Sequence, residues 1–146
     1  NFKLLKSNVN PYNFHHKRVH FFETAIYCRN TELFLYDSLT GSHGYRITEE
    51  EVNDPLRVIP ALSINTLLEK LQWETVDIIK IDAEGAEKEI FSENLSWLSK
   101  TKYLIVETHD RFKPDASKTV FKALANYNYK MKVINQNLLF EFFHET

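Results

Sequence analysis

Two short stretches carry the residues best suited to chemistry. The first is Lys80-Ile81-Asp82-Ala83-Glu84-Gly85-Ala86-Glu87, which overlaps the end of the apolar run Val76-Asp77-Ile78-Ile79-Lys80-Ile81-Asp82. A lysine inside an apolar strand is costly unless paired, and strand alternation points Lys80 and Asp82 to one face. Asp82, at the strand's end, can face a ligand. The alternative is an aspartate that caps the next helix while holding a buried ion pair to Lys80. The second stretch is Glu107-Thr108-His109-Asp110. If the strands that lead into the two stretches are neighbours, Glu107 and His109 lie beside Asp82. Glu107 can then compensate Lys80, and His109, with a reference pKa near working pH, can act as a general base. The alternative for His109 is a surface-loop residue.

Asp82-x-Glu84 at a strand end also suggests a divalent cation, but two carboxylates are fewer than a complete site needs. His15, His16, His20, His43, His109 and His144 show no zinc-binding spacing, so no zinc site is expected. Nothing near Cys28 would activate its thiol, which reads as a small buried hydrophobe.

The elements that must position these residues follow from periodicity. Phe2, Leu4, Leu5 and Val9 have helical spacing that ends at Asn10-Pro11. The cluster His15-His16-Lys17-Arg18 reads as a solvated connection. Val19 to Ile26 is expected to be a strand, followed by a turn at Cys28-Arg29-Asn30-Thr31 and a strand over Leu33-Phe34-Leu35-Tyr36 that pairs with it. Ser38 to Leu56 is expected to be one long polar loop, a lid or substrate-recognition segment. Arg57-Val58-Ile59-Pro60 reads as an edge strand because of its proline. Ser63 is placed to cap a helix through Ile64, Leu67, Leu68 and Leu71.

Val76 to Asp82 suits a central parallel strand covered on both faces. Gly85 opens a helix through Ile90 and Phe91 and on to Trp97 and Leu98, with Glu84 and Glu87 at its positive end. Tyr103 to Glu107 is a second buried strand. Phe112 to Asp115 is a turn, and Ala116, Val120, Phe121 and Leu124 line one face of the next helix. Tyr129 to Ile134 and Leu138 to Phe143 form a hairpin about Asn135-Gln136-Asn137. The alternation after residue 56 predicts a parallel α/β sheet closed by an antiparallel strand, with its ligand site at the carboxyl ends of the strands.

Composition sets the limits. The chain has 146 residues, 43% hydrophobic and 26% charged, which suits one globular domain. A net charge of −2 argues against nucleic acid or an anionic membrane as the main partner. No apolar run approaches a membrane span, and one cysteine excludes an internal disulfide; together these point to a cytoplasmic location. Only three glycines occur, Gly41, Gly44 and Gly85, and no glycine-rich phosphate or dinucleotide loop can be built from them. The opening residues read like the inside of a helix, so the chain is expected to be cut from something longer.

From Val58 to His109 the sequence resembles the FkbM family of S-adenosylmethionine-dependent methyltransferases. Lys80 to Glu87 is similar to that family's K-x-D-x-E-G-x-E signature, and Glu107-Thr108-His109 to its E-x-H. Ser63 to Leu68 is similar to its short helix before the central strand. Phe2 to Ala25 is more weakly similar to the segment before that.

The resemblance implies a Rossmann-like class I methyltransferase sheet, in the order 3-2-1-4-5-7-6. On that scheme Val19 to Ala25 is strand three, Val76 to Asp82 four, Tyr103 to Glu107 five, and the hairpin six and seven. Strands one and two and the glycine loop have no counterpart, which leaves an open sheet edge through which copies could associate. The implied reaction is methyl transfer from S-adenosylmethionine to a hydroxyl of a sugar, glycan or secondary metabolite. The implied catalytic set is Asp82, Glu107, His109 and Lys80. Thr24 and Ala25 would lie near the adenine, and Asp82 and Glu84 near the cofactor's cationic end. A non-catalytic α/β module completed by a partner chain is the second reading, and metal-dependent hydrolysis through Asp82 and Glu84 the third.

Overall fold

The computed structural model describes residues 2–9, 19–37, 45–53 and 56–143. In chain order the elements are α1 (Phe2–Val9), β1 (Ala25–Tyr27), β2 (Thr31–Asp37), β3 (Tyr45–Thr48), β4 (Arg57–Ser63), α2 (Ile64–Leu71), β5 (Val76–Ile81), α3 (Glu87–Ile90), a 3-10 helix (Leu95–Lys100), β6 (Thr101–Glu107), α4 (Ala116–Leu124), β7 (Tyr129–Ile134) and β8 (Asn137–Phe142). The strands form two mixed four-stranded sheets, β1-β4-β2-β3 and β5-β6-β8-β7. The basic cluster His15 to Arg18 lies outside the described residues.

The second sheet positions the chemistry. β5 and β6 run parallel, paired from Val76↔Thr101 to Ile81↔Val106, so Asp82 and Glu107 leave the sheet side by side. β8 is antiparallel to β6, and β7 to β8. The order β5-β6-β8-β7 corresponds to the 4-5-7-6 run of the implied fold. The hairpin turns on Asn135 and Gln136, since Ile134 already pairs with Asn137, and Asn135 takes the positive φ of 55° that the tight turn needs.

β5 is not the doubly covered central strand that its apolar run suggests. Among the described residues its only neighbour is β6, and Ile78 is 59% exposed. The same openness removes the expected penalty on Lys80, whose side chain is half in solvent.

The first sheet departs further from expectation. Val19 to Thr24 are not strand: β1 is three residues long and pairs with β4 only over Ala61 to Ser63. The ladder stops where Pro60 offers no N–H, and Thr24 Oγ1 donates to the Pro60 carbonyl instead, at 2.7 Å. β2 does not pair with β1 but lies between β4 and β3. β4 therefore has neighbours on both sides, with Pro60 opposite Glu32 and one residue short of the β1 ladder. The expected long loop contains β3, a strand that pairs Tyr45 to Thr48 with Asp37 to Phe34.

Ser63 caps α2 as expected, its side chain accepting from the Thr66 N–H. The helix after Gly85 is shorter than expected. α3 spans four residues, Asn94 turns left-handed at φ 56°, and a 3-10 helix carries Trp97 and Leu98 into the core. Leu104, Val106, Val120, Leu124 and Phe140 complete that core, and Ile26 and Ile47 of the first sheet pack against it.

Candidate functional site

Gly85, at φ 105°, and Glu84, at φ 50°, fold the chain sharply between β5 and α3. The turn is held by Glu87, which is fully buried. Its carboxylate accepts from the Ala83 N–H at 2.8 Å and the Gly85 N–H at 3.0 Å. Sequence placed Glu87 merely at the positive end of a helix, whereas here it turns back to satisfy the backbone of the turn before it. The spacing Glu84-Gly85-x-Glu87, a positive-φ glycine two residues before a carboxylate, is the signal that could have revealed this.

The same carboxylate reaches the second stretch. Glu87 Oε1 lies 3.0 Å from His109 Nδ1. An ionised carboxylate can only accept, so Nδ1 carries the proton and donates it to Glu87. His109 is 5% exposed, not a surface-loop residue, and its ring stacks on Phe112 at 5.8 Å between centroids. With Nδ1 protonated, the ring in its neutral form presents the Nε2 lone pair to the other side. There Nε2 faces Glu84 Oε2 and Glu107 Oε1, each at 3.7 Å, and Asp82 Oδ1 at 3.9 Å. These separations exceed a hydrogen bond.

Lys80 Nζ donates to Asp82 Oδ2 at 2.8 Å, an exposed pair rather than the buried one considered from sequence. This hydrogen bond, with the Asp82 and Glu107 charges adding to it, holds the Lys80 ammonium above the usual lysine range. Asp82 caps no helix, and its second oxygen stays turned toward His109.

The fold thus brings Lys80, Asp82, Glu84, Glu107 and His109 together. Two hollows flank them. An apolar groove of ≈ 520 Å³ runs past Ala25, Ile26, Ile79, Asp82, Ala83 and Ala86. A more polar cleft of ≈ 210 Å³ is lined by Tyr27, Tyr36, Thr48, Glu49, Glu84 and Lys113. Ala25 reaches the groove, but Thr24 does not line it, since its hydroxyl is bonded to the β4 backbone. The polar cleft was not anticipated, because β3 supplies Thr48 to it from a segment read as loop. Its Tyr27 phenol is pushed up to about 12 by burial, with the Glu49 and Glu89 carboxylates adding to the effect. Cys28 is a buried free thiol, also raised mainly by burial.

No helix among the described residues is long and apolar enough to cross a membrane. Neither the comparison with curated proteins nor that with solved structures gives a match. A family model described as the methyltransferase FkbM domain matches residues 2–131, nearly the whole chain.

Proposed function

Because the chain belongs to the FkbM methyltransferase domain family, we propose that the cluster at the ends of β5 and β6 serves S-adenosylmethionine-dependent transfer of a methyl group to a hydroxyl. The observation that carries this reading is His109. Its Nε2 lone pair is fixed by a buried Glu87 and aimed at the rim formed by Asp82, Glu84 and Glu107. Such a cluster at the carboxyl ends of neighbouring parallel strands is where α/β sheets bind ligands.

S-adenosylmethionine supplies an electrophilic methyl on a positively charged sulfur. The residues present fit that cationic end. Asp82 and Glu84 offer negative charge beside a groove whose Ala25, Ile26, Ala83 and Ala86 suit a flat apolar surface. The acceptor reading rests on the polar cleft. Tyr27, Tyr36 and Thr48 with Glu49 and Glu84 provide donors and acceptors for a hydroxyl-rich molecule such as a sugar or secondary metabolite. The acceptor hydroxyl must lose its proton as its oxygen attacks, and His109 Nε2 or the Glu107 carboxylate is the group to take it. Lys80 fixes the Asp82 carboxylate.

The test is Asp82→Asn. The side chain is partly in solvent and its ion pair with Lys80 is exposed, so stability changes by less than ~1 kcal/mol. Binding of S-adenosylmethionine by calorimetry and transfer of labelled methyl should both fall, with the circular dichroism spectrum unchanged. Full binding and transfer by the Asn variant would refute the role of Asp82. A second reading, a non-catalytic module completed by a partner, is favoured by the single neighbour that β5 has among the described residues. Failure of the unsubstituted chain to bind the methyl donor would support it.

A further inference from the structure

We propose that Asp82, Glu84 and His109 form a binding site for one divalent transition-metal ion, with Glu107 at its edge. Carboxylates alone do not make a site, and exposed acidic groups are common. What sets this cluster apart is the imidazole. His109 is buried to 5% exposure, its Nδ1 is committed to Glu87, and its Nε2 makes no hydrogen bond among the described residues. The lone pair points at three carboxylate oxygens, an acceptor facing acceptors, at 3.7 to 3.9 Å. A proton on Nε2 would meet these oxygens beyond hydrogen-bond reach, whereas a metal ion between them engages all of the donors at once.

The spacing suits an ion. Ligands bound at ~2.1 Å lie ~3.0 Å apart at octahedral and ~3.4 Å apart at tetrahedral angles. The Asp82, Glu84 and His109 donor atoms all fall within 4.8 Å of one another, so closure by about 1–2 Å at most, through rotation of the two exposed carboxylates, completes the set.

The surroundings agree. A metal-binding histidine usually donates its other ring N–H to a carboxylate, which fixes its tautomer and orientation, and Glu87 does this from a fully buried position. Lys80 occupies only Asp82 Oδ2 and leaves Oδ1 for the ion. One imidazole with two carboxylates favours an ion of the Mn²⁺ or Zn²⁺ kind over Mg²⁺ or Ca²⁺. The remaining coordination positions open toward the rim. An acceptor hydroxyl bound there would give its proton to Glu107 and keep its oxygen on the ion, since His109 is then a ligand. That last role rests on the methyl-transfer reading; ion binding does not.

The experiment titrates the chelator-stripped chain with Mn²⁺, reading free ion by electron paramagnetic resonance, without methyl donor. Zn²⁺ is then used as competitor. The expected result is one ion per chain, displaced by Zn²⁺. Binding should be at least tenfold weaker in Asp82→Asn and in Glu84→Gln, both exposed enough to leave the fold intact, and unchanged in Glu93→Gln, a remote carboxylate. Absence of saturable binding, or equal binding by the parent and both rim variants, overturns the site. A chain that binds the ion but transfers no methyl upholds the site and refutes the methyl-transfer reading. Methyl transfer by a chain that binds no ion does the reverse.

Discussion

Replacement of Glu87 by alanine is the sharpest test of how the site is built. The carboxylate is fully buried and accepts from the N–H groups of Ala83 and Gly85 and from His109 Nδ1. Hydrogen bonds to a charged group contribute ~1.5–3 kcal/mol each but do not add, because losing one loosens the others. Alanine leaves two buried donors and the part-buried Ala83 N–H without an acceptor, and a void where the side chain stood. The expected loss is ~4 kcal/mol, a large part of the ~5–15 kcal/mol of a typical domain. With a urea slope of about 2 kcal/mol per molar, the unfolding midpoint falls by ~2 M. Glutamine keeps one oxygen but turns an N–H toward another donor, so it should cost ~1–3 kcal/mol, less than alanine. Equilibrium urea unfolding measures both. Nitrogen NMR of the imidazole should find Nδ1 protonated in the parent and tautomers mixed in the alanine variant. A Glu87→Ala chain within 1 kcal/mol of the parent would refute the reasoning, since two orphaned buried donors and a third part-buried one cost more than that.

Other expectations follow from the same geometry. Tyr27 releases its proton near 12 rather than at the usual 10.0. Its folded-state value is raised, so the stability it contributes is full below pH 10 and is lost as pH climbs toward 12. Phenolate absorbance compared with Tyr27→Phe should isolate that late step, and a step near 10 would contradict it. Gly85→Ala meets only ordinary contacts, Lys113 Cβ at 3.6 Å and Phe112 Cβ at 3.7 Å, so its cost is the backbone at φ 105°. That strain is ~1–3 kcal/mol by thermal unfolding, and an unchanged midpoint would refute it. Ser63→Ala removes the acceptor for the Thr66 N–H and should cost ~1 kcal/mol by the same measurement, with no change in ion or methyl-donor binding.

What could be read from sequence was what depends on local pattern plus one topological rule. The apolar runs before Asp82 and Glu107, separated by a helical stretch, imply parallel neighbours, and that alone sets the two carboxylates side by side. The cap at Ser63 and the hairpin at Asn135 were equally local. The errors came where partners decide. Phe21, Phe22 and the β-branched residues around them have strand propensity, but β1 begins only at Ala25, where β4 offers a ladder past Pro60. Tyr45 to Thr48 sits in polar company, yet it pairs because β2 has a free side. The helix after Gly85 was extended too far because Ile90, Phe91, Trp97 and Leu98 are all core residues. They reach the core from two short helices, with left-handed Asn94 between them. Burial of His109 was out of reach, since it depends on Phe112 stacking over the ring and on a carboxylate 22 residues earlier in the chain.

Glu87 makes one group answer for both fold and chemistry, and this predicts how substitutions should divide. By accepting from the β5–α3 turn and from the residue just beyond β6, it ties the ends of the two parallel strands to each other. A change at Glu87 or Gly85 disturbs that tie, so stability and the aim of His109 Nε2 are lost together. Asp82 and Glu84 lie on the solvent side of the imidazole and hold no buried donor. Their removal takes away charge at the rim while the ring stays in place. The buried carboxylate therefore sets where the lone pair points, and the exposed ones set what it meets. A variant at Asp82 or Glu84 that unfolded the chain would break this division as surely as a stable Glu87→Ala.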